Sequence, residues 1–263
     1  QEYNLYRTNI AVGDYPVDHH HARYHGYEQL PDLYFYPVPS YGLPLGTLIP
    51  KDIKGLIVAE KSISVSNLVN GTTRLQPVVL QIGQAAGTLA ALAIRNNCDI
   101  ENVSVRMVQQ EILASGGYLM PYLDVQKDNI LFPVYQRIGA SGILKGIGKN
   151  VGWSNQTWLR VEDTLLYSEL DGLKDIYPTS KIENPKSDPV TLGDAIKLIE
   201  NIARNENIKI GSDIHKEAEK LFIKYNLGDF NPDASIKRGV FAVLVDNFLN
   251  PFKKDVDIYG NFK

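Results

Sequence analysis

A single cysteine, Cys98, stands in 263 residues, so neither an internal disulfide nor a thiolate metal cluster can form. No G-x-G-x-x-G follows an expected strand, which removes the pyrophosphate-cradling turn of a dinucleotide-binding βαβ unit. No G-x-S-x-G is present either, and Cys98 follows Asn96-Asn97 at an expected helix end; covalent hydrolase chemistry has no motif to rest on. Blocks of like charge are absent. The 27 Lys and Arg nearly balance 30 Asp and Glu, a net charge of −3 that argues against a nucleic-acid surface. The one membrane-like stretch, Pro77 to Ile94, is interrupted by Gln81, Gln84 and two glycines. It falls short of the roughly 20 apolar residues of a span, so a buried helix is expected. No signal peptide is visible.

What is there has the composition of a soluble globular protein, 44% hydrophobic and 22% charged, and the length suits two domains. A strand is expected over Tyr3 to Val12. Leu56 to Ala59 (LIVA) is a second apolar run of strand length, followed by a polar crossover, Ser62 to Arg74. Pro77 then opens a helix of about five turns, where a first-turn proline is tolerated. Along it Gly83, Ala86, Gly87, Ala90 and Ala93 recur three or four apart, a face that a backbone or a flat ligand could approach closely. The start of such a helix offers free N–H groups and a positive dipole end to anionic or electron-rich atoms. A further helix is expected over Val103 to Ser115, stopped by Gly116-Gly117. The tyrosine-rich run Tyr24 to Tyr41 reads as strand and loop; it could line a carbohydrate or flavin site, but covering a core is the favoured role.

Four ordered blocks carry a family resemblance: GDYPVDHHH (Gly13 to His21), YGLPLGTLIPK (Tyr41 to Lys51), LIVAEKSIS (Leu56 to Ser64) and GTTRLQPVVLQIGQAAGTLAALA (Gly71 to Ala93). Together they resemble the C-terminal segment of the FAD-dependent oxidoreductase family, over roughly the first 95 to 120 residues. The resemblance implies an α/β fold, an α+β remnant of a flavin-binding domain over 1–118. It also implies an FAD cofactor in the intact protein, with Arg74, Gln76, Pro77 and Val78 at the flavin and Asp18 and His20 facing substrate. Relatives occur in bacterial secreted and polysaccharide-related gene neighbourhoods, and some carry a xanthan-lyase label. An extracytoplasmic location and a polysaccharide partner follow as expectations. Two readings of the absent G-x-G-x-x-G stay open, a fragment of a longer enzyme or a remnant that has lost its cofactor. The fragment is favoured, because the chain starts inside an expected strand without an initiator Met. Its partner would be the missing N-terminal FAD-binding half, and this chain alone would be inactive and colourless.

Residues 119–263 have a different texture, that of a mainly α-helical repeat domain. Aligning Trp158 to Tyr167 with Val190 to Ile199 and Ile236 to Val245 gives three segments, each with an apolar first residue and apolar residues at helical spacing. With Asp124-Val125, Gly142-Ile-Leu-Lys-Gly146, Arg160-x-Glu162 and FNPDAS (Phe230 to Ser235), they resemble the S-layer homology repeat. In such repeats the Arg and acidic residue of T-R-x-E bind anionic cell-wall polysaccharide. Only the first segment keeps both, as Arg160 and Glu162, so a structural or docking role is favoured over glycan binding.

Competing motifs are weaker. Asp18 to His21 has metal-ligand chemistry, yet neighbouring strand residues point to opposite faces and the other half adds only His215. A substrate-facing role is favoured, since a neutral His can take a proton near pH 7. Asp229-x-Asn231-x-Asp233 starts like a calcium loop, but Ala234 and Val240 replace its Gly and its closing Glu. A polysaccharide lyase would need a base beside an acidic sugar; His20, the tyrosines and Arg23 are the material for one, without a spacing that fixes it. The expected function is therefore flavin-dependent oxidation or reduction of a small or sugar-derived substrate, with an attached helical docking domain. A glycan-binding module or xanthan lyase without redox activity is the alternative.

Overall fold

The computed structural model describes residues 2–18, 38–151, 154–180, 182 and 188–263. Their mixed α/β chain divides into two compact units. The first comprises the described residues of Gln1–Pro121 with Gly148–Thr157 and Val256–Asn261; the second comprises Tyr122–Ile147, Trp158–Asp255 and Phe262–Lys263.

In the first unit, Glu2–Thr8 is a 3-10 helix and β1 spans only Asn9–Gly13. The expected strand from Tyr3 is thus corrected to its second half. β1 pairs antiparallel with β2, Tyr41–Pro44, in the register Val12↔Gly42 and Gly13↔Tyr41, with an irregularity between Asn9 and Ala11. No third strand joins these two among the described residues. Amide side chains finish the free edge instead. Gln81 Nε2 donates to Val12 O and Gln81 Oε1 accepts from Val12 N, both at 3.0 Å. Gln109 Nε2 donates to Arg7 O and Asn9 O, both at 2.9 Å. Backbone groups of Arg7, Asn9 and Val12 that lack a neighbouring strand are satisfied in this way.

LIVA is not a strand. It runs without a ladder, held by backbone bonds from Val58 N to Leu48 O at 2.9 Å and from Ser62 N to Ala59 O at 3.2 Å, and Leu56 is exposed. An apolar run of strand length needs a partner edge to become one, and β1 and β2 offer it none. The expected crossover contains a helix, α1, Asn67–Thr73, capped by the Ser66 hydroxyl, which accepts from Val69 N at 3.2 Å. α2, Gln76–Arg95, carries Pro77 in its first turn, as expected. Its Val78, Val79, Ile82, Ala85, Leu89 and Leu92 are buried on the side that meets β1 and α3, Val105–Ala114. Among the described residues the opposite side is open. A Cβ built on Gly83 or Gly87 meets nothing within 4 Å, and Leu80 and Ile94 are exposed. By length and composition α2 could cross a membrane; 44% of its apolar window is buried. A second two-stranded sheet joins β3 (Ile147–Val151) and β4 (Ser154–Trp158), with Asn155 Nδ2 donating to Asp14 O at 2.5 Å.

The second unit is helical: α4 (Phe132–Ser141), α5 (Asp171–Ile176), α6 (Leu192–Asn205), α7 (Ile214–Tyr225) and α8 (Arg238–Phe248). α8 is buried from Arg238 through Val245 and packs against α4, α6 and α7. Three short extended segments meet in a closed ring. Leu165 N donates to Ile236 O (2.9 Å), Ile236 N to Val190 O (3.0 Å), and Val190 N to Leu165 O (2.9 Å). Isolated bridges join Thr164 with Lys237, Leu166 with Pro189 and Thr191 with Ser235. Leu165, Val190 and Ile236 are therefore equivalent. This corrects the sequence register, which placed Trp158 where Leu165 belongs. Trp158-Leu-Arg-Val-Glu imitates the pattern seven residues early, but its Arg160 adopts φ 62°, which cannot begin a helix.

Candidate functional site

The segment after β1 carries Asp18, the helix α1 carries Arg74 at its end, and the two meet. Asp18 N reaches Gly71 O at 3.4 Å. Arg74 donates through one nitrogen to Asp18 O (3.1 Å) and Asp18 Oδ2 (3.4 Å). Asp18 is buried and the Arg74 side chain is 32% exposed, so part of that side chain is open to solvent. Two residues assigned to different roles, substrate for Asp18 and cofactor for Arg74, thus form one ion pair. His20, with the neighbouring histidines, lies outside the described residues.

The rest of the segment is held just as closely. Thr72 Oγ1 lies 2.5 Å from Tyr15 O and 2.8 Å from the Tyr41 hydroxyl. Burial first, then Asp14 nearby, pushes the Tyr41 phenol up to about 12 although the Thr72 bond opposes it, so Tyr41 stays neutral at physiological pH. A Cβ on Gly13 would fall 2.5 Å from the Tyr41 oxygen, which explains a glycine beside this ring. The sequence assigns no site role to Thr72 or Gln81, and Tyr41 enters it only at the edge of a tyrosine-rich run and of a family block. Gln81 gave the only signal, an amide on an otherwise apolar helix.

At the start of α2, Gln76 and Pro77 are exposed and Val78 is buried. Pro77 has no N–H, and Val78 and Val79 give theirs to Leu75 O at 3.0 and 2.9 Å. Gln76 is then the residue of this turn able to present an N–H to a ligand. Beside it, the Thr73 hydroxyl is buried and has no hydrogen-bond partner among the described residues. A partly exposed arginine, a helix start and an unpaired buried hydroxyl suit the electron-rich edge of a flat ligand. They do not suit a diphosphate, for which the sequence offers no glycine-rich turn. No group of three His, Cys, Asp or Glu able to hold a metal occurs among the described residues.

In the second unit, Arg160 and Glu162 of the T-R-x-E-like segment take different partners. Glu162 Oε2 accepts from Lys237 Nζ at 2.7 Å on the surface, and Arg160 bonds Glu169. Glu169 Oε1 also takes the Arg238 guanidinium, while its Oε2 accepts from Leu166 N at 3.1 Å. Arg238, 1% exposed, donates further to Leu159 O (3.1 Å) and Lys145 O (2.9 Å). Asp124 Oδ atoms accept from Leu159 N and Arg160 N at 2.8 and 2.6 Å, fixing the same loop.

Residues 2–112 match a family model described as FAD dependent oxidoreductase. The match supports an FAD-dependent oxidoreductase-family region there, and the family is one that uses FAD. No curated protein and no solved structure matches the chain.

Proposed function

We propose, from the premise of an FAD-dependent oxidoreductase-family region, that residues 2–112 supply one wall of a flavin site in a redox enzyme for a small or sugar-derived substrate. The observation that carries this is the Asp18–Arg74 pair, which sets a partly exposed arginine beside the start of α2. Arg74 and the Gln76 N–H would hold the electron-rich edge of the flavin. FAD supplies the electron transfer when bound. Asp18, fixed by Arg74 and by the Gly71 carbonyl, would present its carboxylate toward substrate, with His20 following it in sequence. The chain has no pyrophosphate cradle of its own, so the adenine half of the cofactor would be held by a G-x-G-x-x-G-bearing N-terminal half. Location outside the cytoplasm and a polysaccharide-related substrate are part of the same proposal and rest on the family resemblance.

The test is to express the chain joined to the coding sequence upstream of Gln1. A folded protein carrying the motif should be yellow and release FAD on denaturation, whereas this chain alone should be colourless. A folded, motif-bearing protein without flavin would reject the redox reading.

A further inference from the structure

The ring of the second unit repeats beyond its three central bonds. Two residues after each ring residue, a backbone N–H crosses to the next segment: Tyr167 N to Asp188 O (3.2 Å), Leu192 N to Ala234 O (3.0 Å), Arg238 N to Asp163 O (2.9 Å). Each acceptor lies two residues before its own ring residue, so the three crossings are equivalent. One residue further on, Gly193 N reaches Pro232 O and Gly239 N reaches Val161 O, both at 2.8 Å. A Cβ at either glycine would lie 3.0–3.1 Å from that carbonyl, which is why glycine stands at both positions. The backbone therefore has a closed threefold register, first segment to second, second to third, third to first.

The side chains above it follow the same direction. Arg238, second after its ring residue, bonds Glu169, fourth after the ring residue of the next segment. Tyr167, also second, and Asp194, also fourth, stand at the equivalent positions of the first and second segments. The remaining two such positions hold Leu192 and Val240, both buried. We propose that the second unit closes through a cyclic lock of three matched pairs, Arg238 with Glu169, Tyr167 with Asp194 and Leu192 with Val240, interchangeable as pairs but not as single residues. The positions at which a T-R-x-E repeat would offer its arginine and acid to a ligand are here spent on closure. Under this proposal an ion pair, a hydroxyl with a carboxylate, and two buried apolar side chains fill the three equivalent vertices. The departures from the repeat pattern are then matched: leucine stands at the arginine position of the second segment, and valine at the acid position of the third. A buried charge left without its partner is strongly destabilising, whereas exchanging both members is tolerated far better.

Thermal unfolding of the full chain, followed by circular dichroism, tests the pairing. Leu192→Arg and Val240→Glu should each depress the midpoint of the second unit sharply, and the double variant should recover at least half of the larger loss. A double variant no better than the worse single variant would overturn the lock. Tyr167→Arg provides a control that survives if Leu192→Arg fails to fold, because its new guanidinium faces the Asp194 carboxylate. Its midpoint should stay close to that of the parent. If Tyr167→Arg is as damaging as Leu192→Arg, the matched-pair register is wrong.

Discussion

Arg74 and Asp18, 56 positions apart in sequence, are joined by a guanidinium that bonds both the main-chain carbonyl and the carboxylate of the aspartate. The contact explains why a lone arginine stands between two helices: it ties the loop after β1 to the start of α2. Because the Arg74 side chain is a third exposed, the pair is screened and should contribute only about 0.2–1 kcal/mol to folding. Arg74→Ala should therefore shift urea unfolding little. In a flavin-loaded protein the same change should weaken FAD retention or move its reduction potential. Unchanged flavin properties would remove Arg74 from the site.

Gln81 predicts the opposite balance. Its amide completes both hydrogen-bonding groups of Val12, and nothing else among the described residues takes that place. Gln81→Leu leaves a donor and an acceptor unpaired, each worth about 1–3 kcal/mol when buried. Urea midpoints should fall and the Val12 amide should lose hydrogen-exchange protection. Retained protection in the variant would show that water or a neighbouring strand, rather than Gln81, covers this edge.

Helix α2 was legible in the sequence because its signals agree: a proline where the first turn tolerates one, and apolar residues at helical spacing. α1 was not, since Gly71, Thr72 and Thr73 are poor helix formers and the helix depends on its Ser66 cap. The strand expectations overreached where an apolar run met no partner edge. The repeats were visible as a pattern, yet their register slipped by seven residues. Trp158-Leu-Arg-Val-Glu and Leu165-Leu-Tyr-Ser-Glu both end in a glutamate, and only the cross-segment backbone bonds distinguish them. The Asp18–Arg74 contact joins distant segments whose spacing encodes no geometry, so each residue was nominated alone.

The glycines give a contrast between two positions. Among the described residues Gly83 has open space where its Cβ would be, so no close neighbour fills the small-residue face of α2 there. Gly83→Ala should stabilise by about 0.5–1 kcal/mol through helix propensity. At Gly172 a Cβ would come within 2.5 Å of the Ile143 carbonyl oxygen, a backbone atom that cannot swing aside. Gly172→Ala should cost about 1–3 kcal/mol. Paired denaturation curves decide this. A destabilised Gly83→Ala would mean that its face is covered by something.

Asp194 links stability to acid. Hydrogen bonds from the Thr191 and then the Tyr167 hydroxyls hold its carboxyl below the usual 3.8, with burial opposing them. A folded-state value below the unfolded one means that the unfolded chain binds more protons. The stabilisation is thus complete above 3.8 and is lost as pH falls through the depressed value. Thr191→Ala also removes the cap of α6, at about 1 kcal/mol. Its penalty should be larger near pH ~6 than near pH ~2–3, where the parent has lost the same contribution. A penalty independent of pH would mean that Thr191 acts as a cap alone.

Arg160 and Arg238 share one carboxylate oxygen of Glu169, yet they should differ sharply when removed. Arg160 is 31% exposed at the side chain, and its loss leaves Glu169 still paired with Arg238 and still bonded to Leu166 N. Arg160→Ala should therefore cost no more than a surface ion pair, about 0–1 kcal/mol. Arg238→Ala removes the buried partner along with bonds to two carbonyls, leaving Leu159 O and Lys145 O without this donor. Losing one side of such a pair typically costs about 3–5 kcal/mol. The ordering also separates two assignments of the repeat signature. If Arg160 were the structural arginine, its variant would unfold first. Urea titration of both variants under one buffer reads the order directly, and a lower midpoint for Arg160→Ala would restore Trp158 as the start of the first repeat.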